Sequence, residues 1–172
     1  MAYGVVYTTN IHGRCVSLVD SANAHENGEI VYTIGEIQEG ELAKVGGGTG
    51  EIACLVANPA WSYDESHPLN QLEDRFINAK GVGFRGYELM VGDKFELSAD
   101  AISGGSLASI AVGDKLNTTG GKLAKVTGST APTKGVTVVV LEKKVKGYAI
   151  KDGVITSSSN IVVRVESVKA SA

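Results

Sequence analysis

The sequence predicts a mainly β protein, a compact β-barrel or β-sandwich, and three observations predict it. Val, Ile and Leu dominate the apolar residues of a 172-residue chain with three prolines and few aromatics, a composition that suits pleated, half-buried surfaces. Many of its 22 glycines stand in turn-forming pairs such as Asn27-Gly28, Gly92-Asp93, Gly113-Asp114, Gly120-Gly121 and Asp152-Gly153, the punctuation between short strands. Along Ile161–Glu166 the residues Ile161, Val163 and Val165 alternate with Val162, Arg164 and Glu166, the period of a strand with one face buried.

The elements follow in order. Residues 3–9 are a β-branched and aromatic run, an extended arm or first strand, with the arm bounded at about 1–13. Residues 14–19 read as a strand. Asn27-Gly28 is a strong hairpin dipeptide, and 29–34 follow as a strand with Ile30, Tyr32 and Ile34 on one face. Another strand covers 41–45, and Gly46-Gly47-Gly48-Thr49-Gly50 is a loop tip. Residues 51–57 are apolar without alternation, a buried strand ended by Asn58-Pro59. Pro68 suits a first helical position. Leu69, Leu72, Phe76 and Ile77 fall at i, i+3, i+7 and i+8, an amphipathic stripe. One short helix is therefore expected at about 68–79, with Gly81 as its C-terminal cap. Beyond it, strands are expected over 82–90, 94–97, 110–117, 122–127, 136–141, 145–150 and 161–168. Residues 127–134 and 156–159 read as small polar loops. Val91-Gly92-Asp93-Lys94 recurs as Val112-Gly113-Asp114-Lys115, and Gly40–Val45 echoes Gly121–Val126. Two copies without a fixed period do not make a repeat protein, and reused hairpin chemistry explains them.

Length implies a single domain over 1–172, able to bury roughly 70% of its unfolded surface. The net charge of −3 argues against a nucleic-acid partner. Its distribution is uneven. Residues 20–80 carry 11 acidic groups against Lys44, Arg75 and Lys80, a balance of −8, whereas 121–172 carry nine basic groups against Glu142, Asp152 and Glu166, a balance of +6. Such faces neutralise one another within a domain or steer a lattice or oligomer contact. Cys15 and Cys54 are too few for a disulfide framework and read as reduced, buried thiols. The N-terminus lacks a basic region and a long apolar stretch, and no run approaches the ~18 apolar residues of a membrane span. The expectation is a soluble protein made in the cytosol, with no membrane partner.

Candidate chemistry is sparse. His12 and Cys15 are three apart, and on an extended strand such a pair points to opposite faces. Asp64, Glu65, His67, Glu73 and Asp74 could offer ligands to a divalent cation, but their spacing matches no calcium loop, and acidic groups at a helix start are favoured by the macrodipole. The glycine loop at 46–50 lacks the Gly-Lys-Ser/Thr of a phosphate loop. Arg75, Phe76, Lys80, Phe84, Arg85 and Tyr87 mix basic and aromatic residues without an RNA-binding signature. No catalytic, cofactor-binding or metal residue is assigned, and neither an enzyme nor a small-molecule substrate is expected.

Two stretches carry a resemblance. Cys54-Leu55-Val56-Ala57-Asn58-Pro59-Ala60-Trp61-Ser62-Tyr63-Asp64-Glu65 takes an apolar strand through Asn-Pro into Tyr-Asp-Glu. Phe84-Arg85-Gly86-Tyr87 runs to Gly92-Asp93-Lys94-Phe95 as strand, Gly-Asp turn and strand, followed by a second Val-Gly-Asp unit, a Gly-Lys-Leu strand and a final β-branched strand. In this order, from about Tyr3 to Val168, the chain resembles the capsid decoration (cement) proteins of tailed bacteriophages. The resemblance implies a non-enzymatic virion structural protein. Such a protein binds the outer surface of the capsid, braces neighbouring subunits of the major capsid protein and stabilises the shell. It implies a homo-oligomer, with a trimer favoured, residing on the capsid exterior and in the host cytoplasm during assembly. The interface residues expected are Tyr3, Val5, Val6 and Tyr7, as an arm that extends a neighbouring sheet, with Trp61 and Tyr63 as loop aromatics. The competing reading is a carbohydrate- or surface-binding β module of a phage fibre or cell-wall protein, with Trp61, Tyr63 and Tyr87 as a sugar platform.

Overall fold

The computed structural model describes residues 6–34, 41–46, 52–59, 76–128, 132–151 and 154–169, of which 9, 146–151 and 154–158 are described by backbone alone. The chain is mainly β, as its composition predicts, and its curled sheets form a half-barrel. The strands are β1 (Val6–Asn10), β2 (Cys15–Val19), β3 (Ile30–Tyr32), β4 (Ala43–Lys44), β5 (Ala53–Val56), β6 (Phe84–Glu88), β7 (Lys94–Ser98), β8 (Lys115–Thr119), β9 (Lys122–Lys125), β10 (Val136–Lys151) and β11 (Val154–Val168). A 3-10 turn at Ala99–Ala101 follows β7.

One sheet has six strands in the order β1-β7-β11-β10-β8-β9, every neighbouring pair antiparallel. The other has five in the order β3-β5-β6-β2-β4, antiparallel except for β2 beside β4. Their facing sides share one core: Ile30, Tyr32, Ala53 and Leu55 pack with Phe95, Leu97, Leu116, Leu123, Val138 and Val163. A second cluster, Val16, Leu18, Val31, Cys54, Val56 and Phe84, lies on the opposite side of the five-stranded sheet. β3 and β5 are therefore buried on both faces, which explains why residues 51–57 show no alternation. Removing a side chain such as Leu55 from water stabilises the fold by about 1.5–3 kcal/mol. The sheets are stitched where Ile30 N–H donates to the Gly121 carbonyl at 2.7 Å and Lys122 Nζ meets Glu26 Oε2 at 2.7 Å. Gly13 is required at its position, since a Cβ there would lie 1.8 Å from the Glu88 carbonyl oxygen.

Five expectations change. The helix expected at about 68–79 falls mostly outside the described residues, and its described end is not helical. There Asn78 bridges His25, each N–H donating to the other's carbonyl at 2.9–3.0 Å. Those backbone groups are already committed across the chain. Of the arm expected at 1–13, residues from Val6 form an edge strand: Val6 pairs with Leu97, and its side chain packs on the shared core. Cys15 is exposed and only Cys54 is buried, because β2 alternates and turns Val16 and Leu18 inward. Finally, the strands expected over 136–141 and 145–150 are one strand. Register shifts at Leu141 and Lys146 mark irregularities that the strand passes through. Thr156–Ser159 are strand, not loop, because β10 pairs with them residue by residue.

Candidate functional site: a two-stranded arm on a pinned root

The β10–β11 hairpin serves two purposes along its length. Its lower part is the middle of the six-stranded sheet, with β8 paired to Thr137–Val139 and β7 paired to Asn160–Arg164. From Val145↔Ser159 to Lys151↔Val154 the two strands pair only with each other among the described residues. Seven residues at ~3.3 Å each make a ribbon roughly 20 Å long. Its two outer edges carry backbone donors and acceptors that no other strand among the described residues uses.

The root of the ribbon is fixed by polar contacts where the sheet ends. Lys144 and Asn160 are cross-strand partners. Lys144 Nζ donates to Glu96 Oε2 at 3.2 Å, and Asn160 Nδ2 donates to Glu96 Oε1 at 2.8 Å. Glu96 and Asn160 are buried, where the charge on Glu96 requires such partners. Lys143 Nζ donates to the Leu107 carbonyl at 2.6 Å. One residue further out, Val145 is 65% exposed. The polar contacts of the root thus end at Lys144, one residue before an exposed position.

The expected interface residues divide. Tyr3, Val5, Trp61 and Tyr63 lie outside the described residues. Val6 and Tyr7 belong to β1, an edge of the six-stranded sheet; Val6 is half-buried and Tyr7 is 46% exposed. Asn27 ties together the two chain segments that flank 60–75. Its Nδ2 donates to the Asn58 carbonyl at 2.8 Å, and its Oδ1 accepts from Asn58 N–H at 3.0 Å and Asn78 Nδ2 at 3.3 Å.

Beside Asn27, His25 presents Nε2 to Asp20 Oδ2 and Nδ1 to Glu29 Oε2, both at 2.8 Å. The Glu29 carboxylate, opposed by burial and helped by Asp20, raises the imidazole above its ordinary value. Burial pushes the Asp20 carboxyl up. The hydrogen bonds from Ala22 N–H, His25 and Asn23 outweigh it and bring Asp20 down to about 2. The two ring nitrogens face different carboxylates, so this trio is a charged clamp rather than a convergent ligand set. Among the described residues no group of His, Cys, Asp and Glu is arranged to hold a metal ion, and Asp64, Glu65, His67, Glu73 and Asp74 lie outside them.

Other candidate chemistry is absorbed by structure. The His12 ring bonds Asp93 Oδ1 at 2.9 Å, not Cys15. Burial pushes the Cys54 thiol up to about 12, far from a thiolate at neutral pH. A cleft of about 600 Å³ beside β8 is lined by Asp114, Lys115, Glu166 and Lys169. Two of those groups face each other, Lys115 on Glu166 at 2.7 Å, and Asp114 meets Lys125. No helix among the described residues is long and apolar enough to cross a membrane.

Sequence reasoning missed the ribbon because it split β10 and assigned 156–159 to a loop. The available signal was the position of Asp152-Gly153, a turn pair midway between two β-rich runs that end near 136 and 168. Comparison with protein-family models, curated proteins and solved structures finds no match to this chain.

Proposed function

We propose that this chain is a non-enzymatic structural protein of a virion, one that binds the outside of a bacteriophage capsid and braces neighbouring subunits of the major capsid protein. The ordered motifs from Tyr3 to Val168 suggest this reading, and the structural observation that supports it is the position of β1. β1 ends the six-stranded sheet, paired with β7. Such an edge accepts or donates a strand to a neighbouring polypeptide through main-chain hydrogen bonds. A protein that binds only the assembled shell favours that shell by mass action. A homo-oligomer, as the resemblance implies, would multiply weak contacts through effective concentration.

The test is co-sedimentation of the purified protein with empty capsid shells of its source phage. Saturable binding that raises the shell's resistance to heat supports the reading; sedimentation apart from the shell at micromolar concentration sinks it. Removing residues 1–5 is the informative truncation, because Val6 packs on the core and a longer deletion would damage the sheet.

A further inference from the structure

We propose that the ribbon of residues 145–151 and 154–159 is a docking arm for a second copy of this chain, which it engages head-to-tail. A ribbon of two strands alone is only marginally stable in water. Here two strands that pair with each other among the described residues run about 20 Å beyond the sheet, on a root that Glu96, Lys143, Lys144 and Asn160 hold in place. A fixed root reduces the ordering that a contact must supply. Both ribbon edges offer main-chain groups to another strand.

Charge selects the occupant. Residues 145–159 hold Lys146 and Lys151 against Asp152, and the whole of 121–172 stands at +6. Residues 1–120 stand at −9, with 16 acidic groups against seven basic ones. A ribbon laid on another ribbon would set lysines against lysines, which disfavours a symmetric ribbon-to-ribbon dimer. A ribbon laid on the acidic part of a second copy brings opposite charges together. Such a contact uses different surfaces on the two copies, so repetition closes a ring or runs on as a filament. The contact would form in solution with or without a shell, so its failure and that of capsid binding are separately visible.

The experiment is sedimentation velocity of the full chain over a concentration series, at low and at high salt. The wild type should form a closed oligomer that weakens by about tenfold or more in high salt, as screened opposite charges require. In a shortened variant, residues 145–159 are replaced by Asn-Gly, which joins the cross-strand partners Lys144 and Asn160 through a two-residue hairpin turn. It should be monomeric while keeping the wild-type circular dichroism and cooperative unfolding. The double variant Lys146→Glu, Lys151→Glu keeps the full chain and decides the matter if the shortened one does not fold. It should dissociate at about tenfold or more higher concentration. A monomeric wild type overturns the proposal, even if the ribbon proves necessary for shell binding. So does an oligomer that survives the shortening or the charge reversal unchanged.

Discussion

Met90-Val91-Gly92-Asp93-Lys94 and Ala111-Val112-Gly113-Asp114-Lys115 build the same turn on opposite sides of the β10–β11 hairpin. In each, the Asp Oδ2 accepts the N–H of the residue three earlier at 2.8 Å, and the Asp N–H donates to that residue's carbonyl at 3.2 Å. The glycines take φ of 99° and 89°. Gly92 N–H donates to the Val165 carbonyl and Val165 N–H donates to the Asp93 carbonyl; likewise Gly113 N–H donates to the Val140 carbonyl and Val140 N–H to the Asp114 carbonyl. The strand that follows then runs along β11 in one case and β10 in the other. The surroundings differ. Asp93 is fully buried, and its Oδ1 also takes His12 N–H and the His12 ring, both at 2.9 Å. Asp114 lies at the surface against Lys125, which holds its carboxyl below the usual range. One sequence gives one local structure twice, and tertiary position decides what each copy contributes.

The largest expected effect is therefore at Asp93. Asp93→Ala removes the buried carboxylate that accepts the part-buried N–H groups of Met90 and His12 and should destabilise the fold by roughly 2 kcal/mol, read as a lower urea midpoint at unchanged m-value. A loss no larger than that of Asp114→Ala would break the comparison. Next come Gly92→Ala and Gly113→Ala. Nothing lies within 4 Å of an added Cβ at either position, so only the backbone conformation resists. Each should lose about 1 kcal/mol, and the two losses should match; a clear inequality in thermal unfolding would show that the turns are not equivalent. Asp114→Ala should cost less than Asp93→Ala, and its effect should shrink as salt is raised, since its partner Lys125 is half-exposed.

The smallest effect lies beside the five-stranded sheet, between β2 and β3, and concerns pH. The charged form of His25 is favoured in the folded state, so its contribution is complete below the ordinary His value of 6.5 and is lost as pH rises through the higher folded value. His25→Gln should flatten the stability profile above pH 6.5 while leaving the behaviour of both Gly-Asp turns unchanged. A wild-type profile that is already flat there would show that the Asp20–His25–Glu29 clamp does not carry charge.

The fold was legible where one face of a strand meets water. β11 shows it, with Ile161, Val163 and Val165 buried and Arg164 exposed, and the Gly-Asp turns appear at their expected places. Legibility fell where that contrast vanishes. β3 and β5 are buried on both sides, so their sequences reveal burial but not which side meets which core. The arm was obscured for the opposite reason. Thr156-Ser157-Ser158-Ser159 have residue types that favour turns, and only the opposing run of β10 makes them strand.

By itself the sequence determined the β class, the turns and most strand positions, because these rest on side-chain period and on glycine's freedom at positive φ. The tertiary structure decided that β10 and β11 continue beyond the sheet as one ribbon, that Asp93 is buried while Asp114 is not, and that β1 is an edge. Those outcomes depend on which distant segments meet, and hydrogen bonding between strands depends on backbone alignment more than on the residues that are aligned.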